Sequence, residues 1–172
     1  MYVIDHQDRV VELSDLPQSS VGAPCPVVLA AEHLLSVGFF VEDTPSDWDG
    51  TSVRVVGPDS LGEPAAVVRF ERPYASFFGP PNDEAFSGHP LAARGLEPYG
   101  AFEVVNSSWV RSFERMNSVH PYHRSERFAA LRHFVLSFHD TTFECVAEGY
   151  SYELADGPLD HLIAKEARRL CG

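Results

Sequence analysis

Residues 132–149, RHFVLSFHDTTFECVAEG, read as two strands around a tight turn. Side chains alternate across a strand, so His133, Val135, Ser137 and His139 share one face while Phe134, Leu136 and Phe138 share the other. A turn centred on Thr141 and Thr142 sets His139 opposite Glu144 and Phe138 opposite Cys145. The same register sets Val135 against Glu148 and His133 against Tyr150. One face is then Phe134, Leu136, Phe138, Cys145 and Ala147, a core face; the other carries His133, Ser137, His139, Glu144, Glu148 and Tyr150. A turn shifted by one residue would exchange the two faces. On the core face Cys145 is a small hydrophobe rather than a nucleophile.

The surrounding chain supplies the rest of an antiparallel sheet. Residues 26–41, PVVLAAEHLLSVGFFV, fit either a helical face or two strands around Glu32 and His33; the β-branched start and the VGFFVE end favour the hairpin. TSVRVVGP (51–58) and AAVVRFERPYASFF (65–78) read as strands, with Val67, Arg69 and Glu71 alternating against Val68 and Phe70. AFEVV and YSYEL read as short strands. Segments 17–24 and 41–52 carry turn residues and read as loops. Residues 78–100 form a long Pro- and Gly-punctuated loop, within which HPLAARG makes one helical turn stopped by Gly95.

Ser107 and Ser108 precede Trp109, Phe113 and Met116, the apolar face of a short helix. Ser125 caps a second helix, SERFAALR. DGPLDHLIAKEARRL closes the chain as an amphipathic helix with Leu159, Leu162, Ile163 and Leu170 as its buried stripe. The expected fold is α+β. It is one domain over residues 1–172, with about six or seven antiparallel strands in a sandwich or partly open barrel and a few short helices.

Composition narrows the function. A net charge of −12 argues against nucleic acid or an anionic membrane as partner. No segment has the apolar length of a membrane span or the pattern of a signal peptide. Cys25, Cys145 and Cys171 are odd in number and widely spaced, so they form no disulfide framework and suggest a reducing cytoplasm. Twelve of the thirteen basic residues are Arg, a composition typical of a GC-rich bacterial genome.

Charge is uneven. Residues 1–60 hold ten acids against Arg9 and Arg54, whereas residues 109–133 hold five arginines and three histidines against two glutamates. Such a basic island either holds an anionic ligand or pairs with the acidic first third of the chain.

Histidines concentrate in the same region. A carboxylate that holds one imidazole nitrogen fixes the tautomer and raises the basicity of the other, so His139 oriented by Glu144 is a candidate base or metal ligand. His120, His123 and His139 are the candidate ligands of a Zn, Fe or Mn ion, although no HExxH, HxH or facial-triad spacing is present. His133 lies on the same face, and His89, in the long loop after Asp83 and Glu84, is placed to bring an acid over the sheet. Arg124, Arg127 and Tyr150 are the candidate substrate-binding residues.

Two functions follow as expectations. One is a small cytoplasmic enzyme acting on an anionic small molecule by His/Glu acid–base or metal-assisted hydrolysis, isomerisation or cyclisation. The other is a non-catalytic accessory protein of the immunity type, whose residues 1–60 bind a basic partner.

Overall fold

A computed structural model of the chain describes residues 2–42 and 55–170. Nine strands are present among them: β1 (Arg9–Glu12), β2 (Val27–Ala30), β3 (Leu35–Phe40), β4 (Pro64–Glu71), β5 (Ala75–Gly79), β6 (Ala101–Val105), β7 (Arg132–Ser137), β8 (Thr142–Ala147) and β9 (Gly149–Asp156). Three α-helices accompany them: α1 (Ser108–Asn117), α2 (Ser125–Ala129) and α3 (Leu159–Ala167). The strands form two antiparallel sheets, ordered β1-β6-β7-β8-β5 and β2-β3-β4-β9. The expected α+β class holds, and the architecture is the sandwich, with more strands than the sequence pattern separated.

The main core lies between the sheets. Leu35, Val37, Phe39, Val68 and Phe70 face Phe134, Leu136, Phe138, Phe143 and Cys145. Cys145 is fully buried there, and burial drives its thiol pKa upward, so it is inert. Residues 27–40 form the expected hairpin, with Glu32 and His33 at its exposed tip. On the outer face of the smaller sheet, α3 lies over Gly38. A Cβ at that position would sit 2.7 Å from Ile163 Cδ1 and 2.9 Å from Leu159 Cδ1, so only glycine admits the helix this close. Glu166 of α3 is buried and takes a two-pronged bond from Arg69 of β4, at 2.9 and 2.7 Å.

The β7–β8 hairpin corrects the expected register. Ser137 pairs with Thr142, Val135 with Glu144 and His133 with Val146, and the turn is His139-Asp140, closed by a Phe138 N–H to Thr141 C=O bond of 2.9 Å. β-branched Thr142 prolongs the strand, whereas Asp favours the turn. The turn therefore sits two residues earlier than its expected centre. An even shift preserves face parity, so the division into two faces stands while every cross-strand partner changes. Beyond Glu148 the chain leaves this sheet altogether. Tyr150 lies on β9, pairs with Phe70 of β4 and packs edge-on against Phe134 in the core, so it does not face His133.

Other details differ as well. The segment 65–78 is two strands in different sheets, reversing at Arg72-Pro73, where Arg72 holds a left-handed φ of 47°. Of the strand expected over 51–58, residues 51–54 lie outside the described part and 55–58 are not extended into a ladder. The expected 41–52 loop and Cys171 also lie largely or wholly outside it. Ser107 caps α1 through its hydroxyl, as expected, but Met116 is 63% exposed; the α1 rings that pack inward are Trp109, against His133 of β7, and Phe113, against Tyr74. Ser125 is the first residue of α2 and caps nothing; Arg124 is the residue before it. No helix among the described residues is long and apolar enough to cross a membrane.

The outer face of the larger sheet, which carries His133, Ser137 and Glu144, is covered. Phe86, Leu91 and Leu96 of the 80–100 segment pack on Phe102, Val104 and Val135, joined by Tyr2 and Ile4. Burying each large apolar side chain contributes roughly 1.5–3 kcal/mol, enough to hold a segment with almost no regular structure of its own. Gly95, at φ 90°, ends its short 3-10 turn as the sequence indicates.

Candidate functional site

Beneath that cover lies a buried carboxylate. Glu144 projects from β8 with 1% of its surface exposed. Its Oε1 lies 3.1 Å from His89 Nε2, and its Oε2 accepts from the Tyr2 hydroxyl at 2.7 Å and lies 2.9 Å from His133 Nε2. The hydrogen-bond network assigns both tautomers. The Leu91 N–H donates to His89 Nδ1 at 3.1 Å, leaving the proton of that ring on Nε2. Ser107 Oγ already accepts from the Trp109 and Val110 N–H groups, at 3.2 and 3.3 Å. Its own proton is free to go to His133 Nδ1, 2.9 Å away, which again places the ring proton on Nε2. Glu144 is thus an anion held by three donors. Burial raises its pKa, but the bonds from His133, His89 and Tyr2 outweigh that and hold it down to about 2.

Local structure supplies these positions. Tyr2 stacks on Trp109 of α1 at 5.2 Å between ring centroids, and both rings meet His133 edge-on. The N-terminal segment is fastened by Asp8, which accepts from the Ser108 N–H at the start of α1 (2.6 Å) and from the Asp5 N–H (2.7 Å). Burial and Glu144 raise the Tyr2 phenol pKa well above its ordinary range, so it is a donor at any physiological pH.

A second feature is open. A groove of about 740 Å³ runs between the β4–β5 reversal and helix α2, with Arg72, Tyr74, Arg127, Phe128 and Leu131 among its walls. It adjoins a smaller cavity of about 300 Å³ lined by Asn117, His120, Tyr122, Arg124 and Arg127. Asn117 and Arg127 belong to both, which makes them one continuous depression. Arg72 bonds Glu148 at 3.0 Å on one wall. Among the described residues, the side chains of Arg124 and Arg127 have no hydrogen-bond or ion-pair partner. The other arginines of the basic island divide: Arg111 pairs with Asp5 of the acidic first third, Arg132 pairs with Glu103, and Arg115 makes no pair.

The sequence candidates therefore separate into three places. His89, His133 and Glu144 meet in the buried cluster. His139 does not: it stands at the hairpin turn, 43% exposed, bonded to Asp140 at 3.0 Å, and Asp140 and Asp83 raise its pKa. Arg124, Arg127 and His120 line the groove, and His123 bonds Asn117 at 3.0 Å beside it. Tyr150 donates to Asp15 at 2.8 Å on the far side of the core. The three proposed metal ligands cannot converge. His120 and His123 precede the start of β7 and His139 follows its end, a strand length of roughly 20 Å away. Among the described residues, no three His, Cys, Asp or Glu side chains are arranged to hold a metal ion.

Four contributors escaped sequence reasoning: Tyr2, Ser107 as a partner of His133, Arg72 and Tyr74. The apolar Phe86, Leu91 and Leu96, at spacings of five in an otherwise polar loop, were the signal that this segment packs down and shuts the Glu144 face. Nothing comparable marks Tyr2. No protein-family model, no curated protein and no solved structure matches this chain.

Proposed function

We propose that this protein binds an anionic small molecule in the groove beside α2. The observation that carries the reading is the pair Arg124 and Arg127. In a chain of net charge −12, two guanidinium groups line one cavity without a carboxylate partner among the described residues, and none of the described residues lining that cavity is an acid. Arginine is suited to this work, because its planar fork meets carboxylate or phosphate oxygens two at a time. Arg111 and Arg132, close in sequence, each take an acid; Arg124 and Arg127 stay available. Inorganic phosphate is the simplest test. Titration by calorimetry at low ionic strength is expected to give saturable binding to the wild type that weakens with salt, and none to the Arg124→Gln/Arg127→Gln protein.

A second reading keeps acid–base chemistry at Glu144. It is favoured by the half-buried position of Tyr2, the donor to Glu144 that reaches solvent while His89 and His133 are buried. Movement of Tyr2 would expose an ionised carboxylate flanked by two imidazoles. In that case Tyr2→Ala makes His133 and His89 react rapidly with diethyl pyrocarbonate, and turnover of any substrate depends on Glu144. Slow modification in both proteins leaves the cluster as a structural device.

A further inference from the structure

We propose that the ligand of the groove is an aromatic phosphate monoester, with the phosphate among Arg124, Arg127 and His120 and the ring against Tyr74 and Phe128. The inference rests on the groove being the binding site and specifies what enters it.

The two ends of the depression differ in chemistry. Among the described residues that line it, the smaller cavity offers two guanidinium groups and an imidazole and no acid, a setting for a dianion rather than for a single carboxylate. A phosphate monoester carries about −1.5 to −2 charges at neutral pH and three acceptor oxygens. The larger cavity is built differently. Phe128 and Leu131 give it an apolar floor, and Tyr74 remains 45% exposed although its ring already meets Phe113 edge-on at 5.1 Å and Phe128 at 5.7 Å. An aromatic ring left open on a packed aromatic base presents a surface for a flat ligand. At the far wall the cation is not free. Arg72 is bonded to Glu148, so a second anionic group is unwelcome there, and the phosphate is directed to the α2 end.

The position of Tyr74 is fixed by the fold. Its N–H bonds the Val146 carbonyl at 2.8 Å, directly after the Arg72-Pro73 reversal. Arg127 stands where the two cavities meet, so one guanidinium borders both the charged end and the ring.

The test compares three probes on the intact protein: inorganic phosphate, 2-naphthyl phosphate and 2-naphthol, each titrated by calorimetry at low ionic strength. Naphthyl phosphate is expected to bind at least about tenfold more tightly than inorganic phosphate, and naphthol more weakly than naphthyl phosphate by a similar factor. Arg127→Gln should weaken both phosphates. Tyr74→Ala should remove the naphthyl advantage and leave inorganic phosphate binding unchanged; Tyr74→Leu, which keeps the bulk, serves if the alanine protein does not fold. Equal affinity for the two phosphates overturns the aromatic assignment while leaving anion binding intact. Naphthol binding as tightly as naphthyl phosphate overturns it too, since the arginines then do nothing. Failure of both phosphates to bind overturns the groove reading itself.

Discussion

His133 Nε2 lies 2.9 Å from Glu144 Oε2, although the two residues are not partners across the hairpin: His133 pairs with Val146 and Glu144 with Val135. The contact is a diagonal on the outer face of β7 and β8, within reach of long side chains. It makes the sheet the host of a buried anion, and the pH dependence of stability follows. The Glu144 carboxyl, 4.5 in its ordinary state, is held at about 2 in the folded protein. A depressed carboxylate stabilises the fold above its unfolded pKa and loses that stabilisation as pH falls through the folded value. About 3 kcal/mol should therefore be lost between about pH 4.5 and 2 from this group alone. Urea unfolding of the wild type and Glu144→Gln across that range checks it, since the variant should start less stable at neutral pH and show a shallower acid dependence.

Tyr2→Phe keeps the ring stack on Trp109 and removes the hydroxyl that donates to Glu144. The loss of a hydrogen bond to a charged acceptor should cost about 1.5–3 kcal/mol at pH 7. Chemical denaturation measures it, and in the Glu144→Gln background the same substitution should cost less, because the acceptor is no longer charged.

Arg69 and Glu166 bind the smaller sheet to α3. Glu166 is buried, and the Arg69 guanidinium beside it holds its carboxyl below the usual range. Arg69→Met leaves that carboxylate with Arg169 as its remaining partner, at 2.9 Å, and should cost about 1.5–3 kcal/mol, whereas Arg69→Met with Glu166→Leu should recover part of the loss. A double-mutant cycle by thermal or urea unfolding gives the coupling directly.

His139→Ala should change stability by less than about 0.5 kcal/mol, since the ring is 43% exposed in a turn and bonded only to Asp140. It should also leave phosphate binding unchanged, because His139 and the groove lie at opposite ends of β7. The same calorimetric titration measures both properties of the variant.

Much of this fold was legible in the sequence, and the reasons are local. Alternation placed Cys145 inside and Glu144 outside, and the displaced turn kept them there because its offset is even. Gly95, Ser107 and the 27–40 hairpin carried their own signals in a left-handed stop, a cap, and a β-branched start followed by the VGFF end. The chemistry was less legible, since it depends on non-local contacts. The His139–Glu144 pairing failed on a two-residue turn offset. Tyr2 is 142 positions from Glu144, and no periodicity links them. Tyr150 moved to another sheet because the chain reverses at Glu148. Arg124 and Arg127 could be singled out as basic, but that they stay unpaired while Arg111 and Arg132 do not is a property of the packed molecule.

The measurement that bears most directly on the groove is a phosphate titration followed by ¹H–¹⁵N NMR, with arginine side-chain signals resolved. Arg124, Arg127 and Asn117 should shift in a saturable manner, while the amides of His133, Glu144 and Ser107 stay fixed. Shifts centred on His133, Glu144 and Ser107, or no shift at Arg124 and Arg127, would contradict it.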